Sequence, residues 1–171
     1  MPSKPELLTG FNCVADQSAR ILILGSMPGV KSIKEQQYYA HPRNAFWKII
    51  EAIYQIPHDE DYYQRLELLK QQGVALWDVV HQCIRPGSLD ADIKLGSVQV
   101  NDFKALFEYA PGIEVVFFNG AKAADLYQKK VIKEDFEQNS NRRYVQLPST
   151  SPANAAMSLS QKLAIWQQIK A

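Results

Sequence analysis

The sequence predicts an α/β fold, a three-layer α/β/α sandwich around a central four-stranded, mainly parallel sheet. The first observation is a set of short apolar runs bounded by Gly or Pro, at residues 20–24, 73–77, 114–118 and 144–147. Such runs of β-branched and aromatic residues are typical of strands buried on both faces. The second observation is that helical patterns separate the runs. Strands that alternate with helices indicate a parallel sheet with helices on both faces.

The helical patterns span residues 44–54, 61–72, 101–109, 120–131 and 154–169. The first carries Phe46 and Trp47 among its apolar residues, which predicts that both lie in the core. The third begins with Asn101, a residue type that caps helices. The last follows a polar loop in which Ser151 and Asn154 are the candidate caps.

Length and composition indicate one globular domain over residues 1–171. The chain is 46% hydrophobic and 22% charged, which excludes a disordered chain, a collagen and a coiled coil. The net charge of +1 excludes a binder that depends on bulk positive charge. It leaves room for a nucleic-acid partner, since a local basic patch is sufficient.

The two cysteines, Cys13 and Cys83, are far apart and form no C-x-x-C pair. They are too few for a four-cysteine iron–sulfur cluster or a four-thiolate zinc site. We expect two buried or half-buried free thiols and no metal or other cofactor. The first ten residues lack the apolar stretch of a secretory signal, and no apolar run approaches the length of a membrane span. These observations predict a soluble, cytoplasmic protein.

In a parallel sheet, ligands bind beyond the carboxyl ends of the strands. The first predicted strand is followed by Gly-Ser-Met-Pro-Gly at residues 25–29, and by a polar loop at residues 38–44 with two tyrosines, a histidine, an arginine and an asparagine. Asp78 follows the second strand, and Pro-Ser-Thr-Ser-Pro-Ala-Asn at residues 148–154 follows the fourth. Tyrosines can stack on a base, and hydroxyls before a helix can bind an anion. A plain turn, tyrosines packed on the core and simple helix caps are the structural alternatives.

Two of these segments resemble motifs of the uracil-DNA glycosylase superfamily. Residues 25–29 are followed after ten residues by Ala-His-Pro-Arg-Asn-Ala-Phe-Trp at 40–47, which is similar to the spacing in mismatch-specific members. Residues 148–154 resemble the Pro-Ser loop of the superfamily. The order of elements agrees from about residue 20 to residue 170. The resemblance implies the same sandwich fold and a base-excising repair enzyme.

Two departures point to one branch of that superfamily. Met27 stands where a catalytic Asp or Asn is usual, and Leu147 stands where the best-known uracil enzymes have a histidine. Both are typical of hypoxanthine-DNA glycosylases, in which the asparagine of the His-Pro-Arg-Asn segment is catalytic. The resemblance therefore implies that Asn44 orients the attacking water, that Tyr39 stacks on the flipped base and that Asp78 reads its edge. The base-binding set is Gly25, Met27, Pro28, Tyr39 and Asp78; the DNA-binding set is His41, Arg43, Ser149, Ser151 and Asn154.

The chemistry agrees with this assignment but does not fix the base. An ionised Asp78 would accept the N1–H of hypoxanthine and repel the N1 acceptor of adenine, whereas the N3–H of uracil would fit equally well. A uracil or thymine mispair glycosylase and a non-catalytic nucleic-acid-binding member of the fold are therefore the alternatives. We expect a monomer that acts on double-stranded or single-stranded DNA and associates with the nucleoid when it does so. The positive charge near the strand ends would come from Lys31, Lys34, Arg43, Arg142 and Arg143.

Overall fold

The computed structural model describes residues 4–132 and 141–170. In chain order its strands and helices are β1 (Leu7–Thr9), β2 (Ile21–Gly25), α1 (Val30–Glu35), α2 (Phe46–Tyr54), α3 (Tyr62–Gln71), β3 (Val74–Asp78), β4 (Val80–Ile84), β5 (Gln99–Val100), α4 (Phe103–Tyr109), β6 (Val115–Asn119), α5 (Ala121–Lys130), β7 (Arg143–Leu147) and α6 (Leu159–Trp166). Short 3-10 turns lie at Asp90–Asp92, Leu95–Ser97 and Gln167–Lys170.

The main sheet has four parallel strands in the order β3-β2-β6-β7. All four predicted strands are present within a residue or two of their expected bounds, so the predicted central sheet is confirmed. Gly25 pairs with Asp78 and Asn119 pairs with Leu147, which aligns the carboxyl ends of the strands at one edge. Every residue of β6 is buried, as expected for a strand covered on both faces.

Successive side chains of β2 enter two separate cores. Leu22 and Leu24 pack with α4 and α5, whereas Ile23 packs with α2, α3 and α6. This alternation follows from the two-residue period of a strand. Phe46 and Trp47 are buried in the second core, as predicted. The three-layer sandwich is therefore confirmed.

A second, antiparallel sheet in the order β1-β4-β5 was not predicted. Two of its strands have only three and two residues, too few to show an alternating pattern. β4 follows β3 after one residue, so the two read as a single apolar segment. The helix α1 was not predicted either, because six residues are too few to show a helical pattern.

Two predicted helix starts are wrong. The last helix begins at Leu159, because Ser158 caps it by accepting from the Gln161 N–H, whereas Ser151 and Asn154 lie in an irregular loop. The helix predicted from Asn101 is capped by Asp102, which accepts from the Ala105 N–H. Asn101 itself is buried.

Cys13 is half-buried and Cys83 is buried, and both are free thiols, as predicted. In the part of the chain that the structure describes, none of the helices combines the length and the apolar character needed to cross a membrane.

Trp166 joins the last helix to the loop before it. The ring is fully buried, its Nε1 donates to the Pro148 carbonyl at 2.9 Å, and its edge meets Phe46. Trp166→Phe should lower the free energy of unfolding by about 1–3 kcal/mol, because it leaves the carbonyl of the half-buried Pro148 without this partner and the space incompletely filled. Urea denaturation measures the loss. Ile165→Ala, at a 40% exposed position of the same helix, should cost about 0.5 kcal/mol or less; equal losses would contradict the assignment.

Candidate functional site

The candidate site lies at the carboxyl edge of the main sheet. β2 ends at Gly25, β3 at Asp78, β6 at Asn119 and β7 at Leu147. The loops that follow β2 and β7 are the two segments singled out in the sequence. The edge therefore brings together the predicted residues in the place where parallel sheets bind ligands.

Gly25 and Asp78 make the closest contact of the site. A β-carbon on residue 25 would lie 2.4 Å from Asp78 Oδ1 and 3.2 Å from the Tyr39 hydroxyl. A side chain of any size would collide with the carboxylate, so only glycine leaves room for it. Three of the predicted base-binding residues, Gly25, Tyr39 and Asp78, therefore lie close together.

Asp78 is a buried carboxyl group, 3% exposed. Among the residues described, its Oδ2 has no hydrogen-bond partner. Burial, and to a smaller extent the charge of Asp90, raise its pKa from 3.8 to about 7, while Arg85 acts in the opposite direction. The sequence interpretation treated Asp78 as ionised; in the structure it gains or loses its proton close to neutral pH.

Tyr39 adopts a left-handed backbone conformation, with φ of 56°. Its ring stacks on Phe46, with centroids 4.0 Å apart and planes 28° from parallel. Burial and then the charge of Asp78 raise the pKa of its hydroxyl, so the phenol keeps its proton. A non-glycine residue with positive φ is uncommon and is often found at a functional site. By contrast, Tyr38 is buried in the core, the structural alternative weighed for both tyrosines.

Asn44 lies in the tight turn before α2. Its Oδ1 accepts from the Phe46 N–H at 3.0 Å, and its backbone N–H donates to the His41 carbonyl at 2.9 Å. An amide oxygen has two lone pairs, so Oδ1 can accept from a water molecule as well. Asn44, Tyr39 and His41 line one cavity of about 190 Å³. Arg43 is exposed at the same turn.

Asn119 and Thr150 join two of the loops at this edge. Asn119 Nδ2 donates to Thr150 Oγ1, and the Thr150 N–H donates to Asn119 Oδ1, both at 2.9 Å. The Thr150 carbonyl in turn accepts from the Ala45 N–H at 3.0 Å. This pair therefore fixes the position of the 148–154 loop relative to Asn44. The sequence analysis did not predict a role for either residue in the site. The position of Asn119, a polar residue at the end of a buried strand, is the pattern that could have indicated one.

The predicted DNA-binding side chains of the 148–154 loop organise the loop itself. Ser149 Oγ accepts from the Ser151 N–H, Ser151 Oγ accepts from the Ala153 N–H, and Asn154 Nδ2 donates to the Ser149 carbonyl. Lys162, a lysine that is only 5% exposed, donates to the Ser151 carbonyl. A buried ammonium group under a loop that carries hydroxyl donors favours an anion at its surface.

Other predicted residues take different places. Met27 and Pro28 are buried, and Met27 belongs to the core that contains Leu22 and Leu24. The prediction that Arg142 and Arg143 lie near the site is wrong. Arg143 pairs with Val115, the first residue of β6, and so lies at the opposite, amino edge of the sheet. Of the other predicted cations, Lys31 pairs with Glu35, while Lys34 and Arg43 are exposed.

The segment after β4 reaches the site without any signal in the sequence. Asp90 accepts from Ser26 Oγ at 2.5 Å. Arg85 is 5% exposed; its Nε donates to the Gly87 carbonyl, and within the described part of the chain its Nη2 has no partner. The charges of both groups act on Asp78, whose pKa Asp90 raises and Arg85 lowers.

Comparison with known proteins gives one consistent family. Residues 12–170 match the family model of the uracil DNA glycosylase superfamily. The hypoxanthine DNA glycosylase of Methanosarcina acetivorans is 38% identical over 144 residues, which cover 79% of this chain and 89% of that protein. The corresponding enzyme of Methanosarcina barkeri is 42% identical over 119 residues, 68% of this chain and 73% of that protein.

A solved structure agrees with these relatives. It is the solution NMR structure of a candidate uracil DNA glycosylase from Methanosarcina acetivorans, and it matches with a TM-score of 0.77 at 33% sequence identity. The match covers 97% of this chain and all of that one.

The raised pKa of Asp78 predicts a pH-dependent cost of folding. Because the folded pKa lies above the ordinary value, the folded state holds this proton more tightly, and stability falls as the pH rises from about 4 to about 7. Asp78→Asn removes the ionisation. Its unfolding free energy relative to wild type should therefore be higher at pH 8 than at pH 4.5, by roughly 2–4 kcal/mol.

Urea denaturation at the two pH values tests this difference. Asp59→Asn, at an exposed position, is the matched control and should follow the wild type at both. A constant difference between Asp78→Asn and wild type across the range would show that the buried carboxyl group is not the cause.

Proposed function

The chain belongs to the uracil DNA glycosylase superfamily and is a DNA glycosylase, and we propose that the base it removes is hypoxanthine. The observation that carries the proposal is the buried carboxyl group of Asp78 at the carboxyl edge of the sheet, whose Oδ2 has no partner among the described residues. When ionised it accepts hydrogen bonds and cannot donate one. The N1–H of hypoxanthine supplies the missing donor, whereas adenine presents an acceptor at that position.

The base reaches this site only outside the helical stack. Glycosylases flip the target nucleotide at a cost of a few kcal/mol, which is least for a poorly paired base. Stacking on an aromatic ring returns about 1–3 kcal/mol. Tyr39 supplies such a ring, with one face already packed on Phe46.

Hydrolysis of the N-glycosidic bond then requires a positioned water molecule. Asn44 holds it through Oδ1, whose direction is fixed by the hydrogen bond from the Phe46 N–H. Asn44 does not take a proton at neutral pH, and the buried Met27 supplies no carboxylate. Departure of the base therefore depends on the leaving ability of a purine and on donors that meet its developing negative charge.

DNA would be held by the 148–154 loop and by the turn before α2. Ser149, Ser151 and Asn154, above the buried Lys162, form a surface suited to a phosphate. His41 and Arg43 adjoin Asn44 on the same edge. We propose that the protein acts as a cytoplasmic monomer on double-stranded or single-stranded DNA; one domain over the whole chain remains a prediction.

A uracil or thymine mispair glycosylase is the second candidate. The N3–H of either pyrimidine would also satisfy an ionised Asp78, and a pyrimidine would need less space. The relatives named above favour hypoxanthine.

A panel of duplexes distinguishes the two candidates. Duplexes with a single inosine, xanthine, uracil or mispaired thymine are incubated with excess protein, and abasic sites are cleaved with alkali and counted on a gel. We expect fastest excision of hypoxanthine. Faster excision of uracil or thymine would replace this proposal with the second candidate.

Asn44→Ala should reduce the single-turnover rate on an inosine duplex by about 100-fold or more, since the attacking water loses its orientation. Loss of the hydrogen bond to Phe46 should also cost about 1 kcal/mol of stability, so the assay is run well below the melting temperature. The affinity for the inosine duplex should stay within a few-fold of wild type.

Asn12→Ala is the control, because Asn12 is exposed and contributes only its carbonyl, to Tyr38. It should retain the wild-type rate. An Asn44→Ala rate that is also unchanged would remove Asn44 from the mechanism.

A further inference from the structure

The cavity of about 190 Å³ beside the turn before α2 extends to the helices α2 and α3. His41 and Asn44 line it from the turn, Lys48 from α2, Arg65 from α3, and His58 from the connection between the two helices. The buried carboxyl group at the end of β3 is not part of this lining. The cavity is several times larger than the roughly 30 Å³ that one water molecule takes up in the liquid, so it has room for a larger polar group.

The charged side chains that line this cavity are basic. Lys48 and Arg65 carry positive charges, and the described lining contains no Asp or Glu. Neither of these two cations forms an ion pair within residues 4–132 and 141–170, whereas Lys31, Lys70 and Lys129 each pair with a carboxylate on their own helix. Charged groups that are withdrawn from water are normally paired, so the half-buried Arg65 favours an anionic ligand.

Contacts with both helices hold the Arg65 guanidinium group in place. It lies over the Trp47 ring, 4.5 Å from the centroid, and 5.5 Å from the centroid of Tyr62. Its Nε donates to the Glu60 carbonyl at 3.0 Å. The two terminal nitrogens make no hydrogen bond to the described part of the protein, and they are the fork that binds two phosphate oxygens at once. Because the group is already oriented, it loses little freedom when it binds a ligand.

The turn before α2 adds N–H donors to this positive charge. His41 Nδ1 accepts from the Arg43 N–H at 3.1 Å, so the neutral imidazole carries its proton on Nε2. The Asn44 Oδ1 is bound to the Phe46 N–H, and its amide nitrogen remains a donor. Positive charge together with N–H donors is the combination that binds a phosphate group.

Four acidic residues lie on the same two helices or in the connection between them, but none of them lines the cavity. Asp61 caps α3 by accepting a backbone N–H, and Glu60 accepts from the Asp61 N–H. Glu51 pairs with His58, and Asp59 is exposed. Three of the four carboxylates are therefore already bound by donors of the protein, and the cavity remains the positive part of this surface.

We propose that the cavity binds a backbone phosphate of the DNA strand that carries the flipped nucleotide, with Lys48 and Arg65 supplying the positive charge. This inference rests on the proposed function, because Asn44 lines the cavity and is also the residue proposed to hold the attacking water. The bound phosphate therefore lies close to the target nucleotide along the strand. The strand is then held at two separate places, this cavity and the 148–154 loop.

Affinity for an uncleaved duplex tests the role of the two cations. The duplex carries an inosine with fluorine at the 2′ carbon of the sugar, which resists hydrolysis, and fluorescence anisotropy gives Kd as the KCl concentration is varied. Lys48→Gln and Arg65→Gln should each raise Kd by about 5- to 10-fold. Each should also reduce the slope of log K against log salt concentration by about 0.9, because one phosphate contact is lost.

Lys104→Gln is the matched control. It removes the same charge at an exposed position of α4, which packs against the core on the other side of the main sheet from α2 and α3. It should retain the wild-type Kd and salt slope. An equal effect of Lys104→Gln would show that overall charge is the cause and would overturn the inference. Lys48 is exposed, so Lys48→Gln decides the question if Arg65→Gln does not fold.

Replacing single phosphates in the duplex locates the contact. A methylphosphonate, which has no charge, is placed at each phosphate that flanks the inosine in turn. One position should weaken binding of the wild type by about as much as Lys48→Gln does. The same replacement should have little further effect on Lys48→Gln, because that contact is already lost. Losses that simply multiply at every position would contradict a phosphate in this cavity.

A titration with inorganic phosphate distinguishes a free anion from the DNA strand. It is followed through the side-chain NMR signals of His41 and His58. If phosphate binds there at millimolar concentration and no methylphosphonate position couples to Lys48, the cavity is a site for free phosphate and the inference is wrong. If wild type releases no hypoxanthine but the coupling is present, the proposed function fails and the phosphate site stands. If wild type releases hypoxanthine and no coupling is found, the phosphate site fails alone.

Discussion

The arrangement of this site depends on one constraint, the close packing of the Asp78 carboxyl group against the Gly25 backbone. Parallel pairing of β2 with β3 puts the two residues side by side. A β-carbon at position 25 would lie only 2.4 Å from Asp78 Oδ1, so the carboxyl group has room only because residue 25 is glycine. The carboxyl group is thereby buried without a partner for Oδ2 in the described chain. Burying an unpaired polar group costs free energy, and the apolar packing on both sides of the sheet offsets that cost.

The rest of the edge is organised by polar contacts between loops. Asn119 and Thr150 exchange two hydrogen bonds, and Thr150 continues the connection to Ala45, the residue after Asn44. The C-terminal loop, the end of β6 and the turn before α2 are therefore one unit. Because Trp166 donates to Pro148 at the start of the same loop, packing of the last helix also contributes to the position of the site.

The main sheet and the core of the site could be predicted from the sequence, because both depend on local pattern. Four apolar runs define the buried strands, and Gly25 and Asp78 stand at the ends of the first two. The motif at residues 40–47 singles out Asn44, and Tyr39 directly precedes it. The contact between Ser26 and Asp90 could not be predicted, since it joins residues 64 positions apart through a loop without regular structure. Arg142 and Arg143 were misplaced for a related reason. The sequence shows that they lie near a strand, but the edge of the sheet that they occupy depends on whether they stand at the start or the end of that strand.

The burial of Met27 limits which groups of this chain could take part in excision. Met27 packs in the core beneath the first loop, so a carboxylate at that position would itself be a buried charge. Asn44 can orient water but cannot remove its proton. Excision must then depend on recognition and on a good leaving group. Under the proposed function, both depend on the carboxyl edge of the sheet, where Asp78 is a buried carboxyl group with no partner for Oδ2 in the described chain.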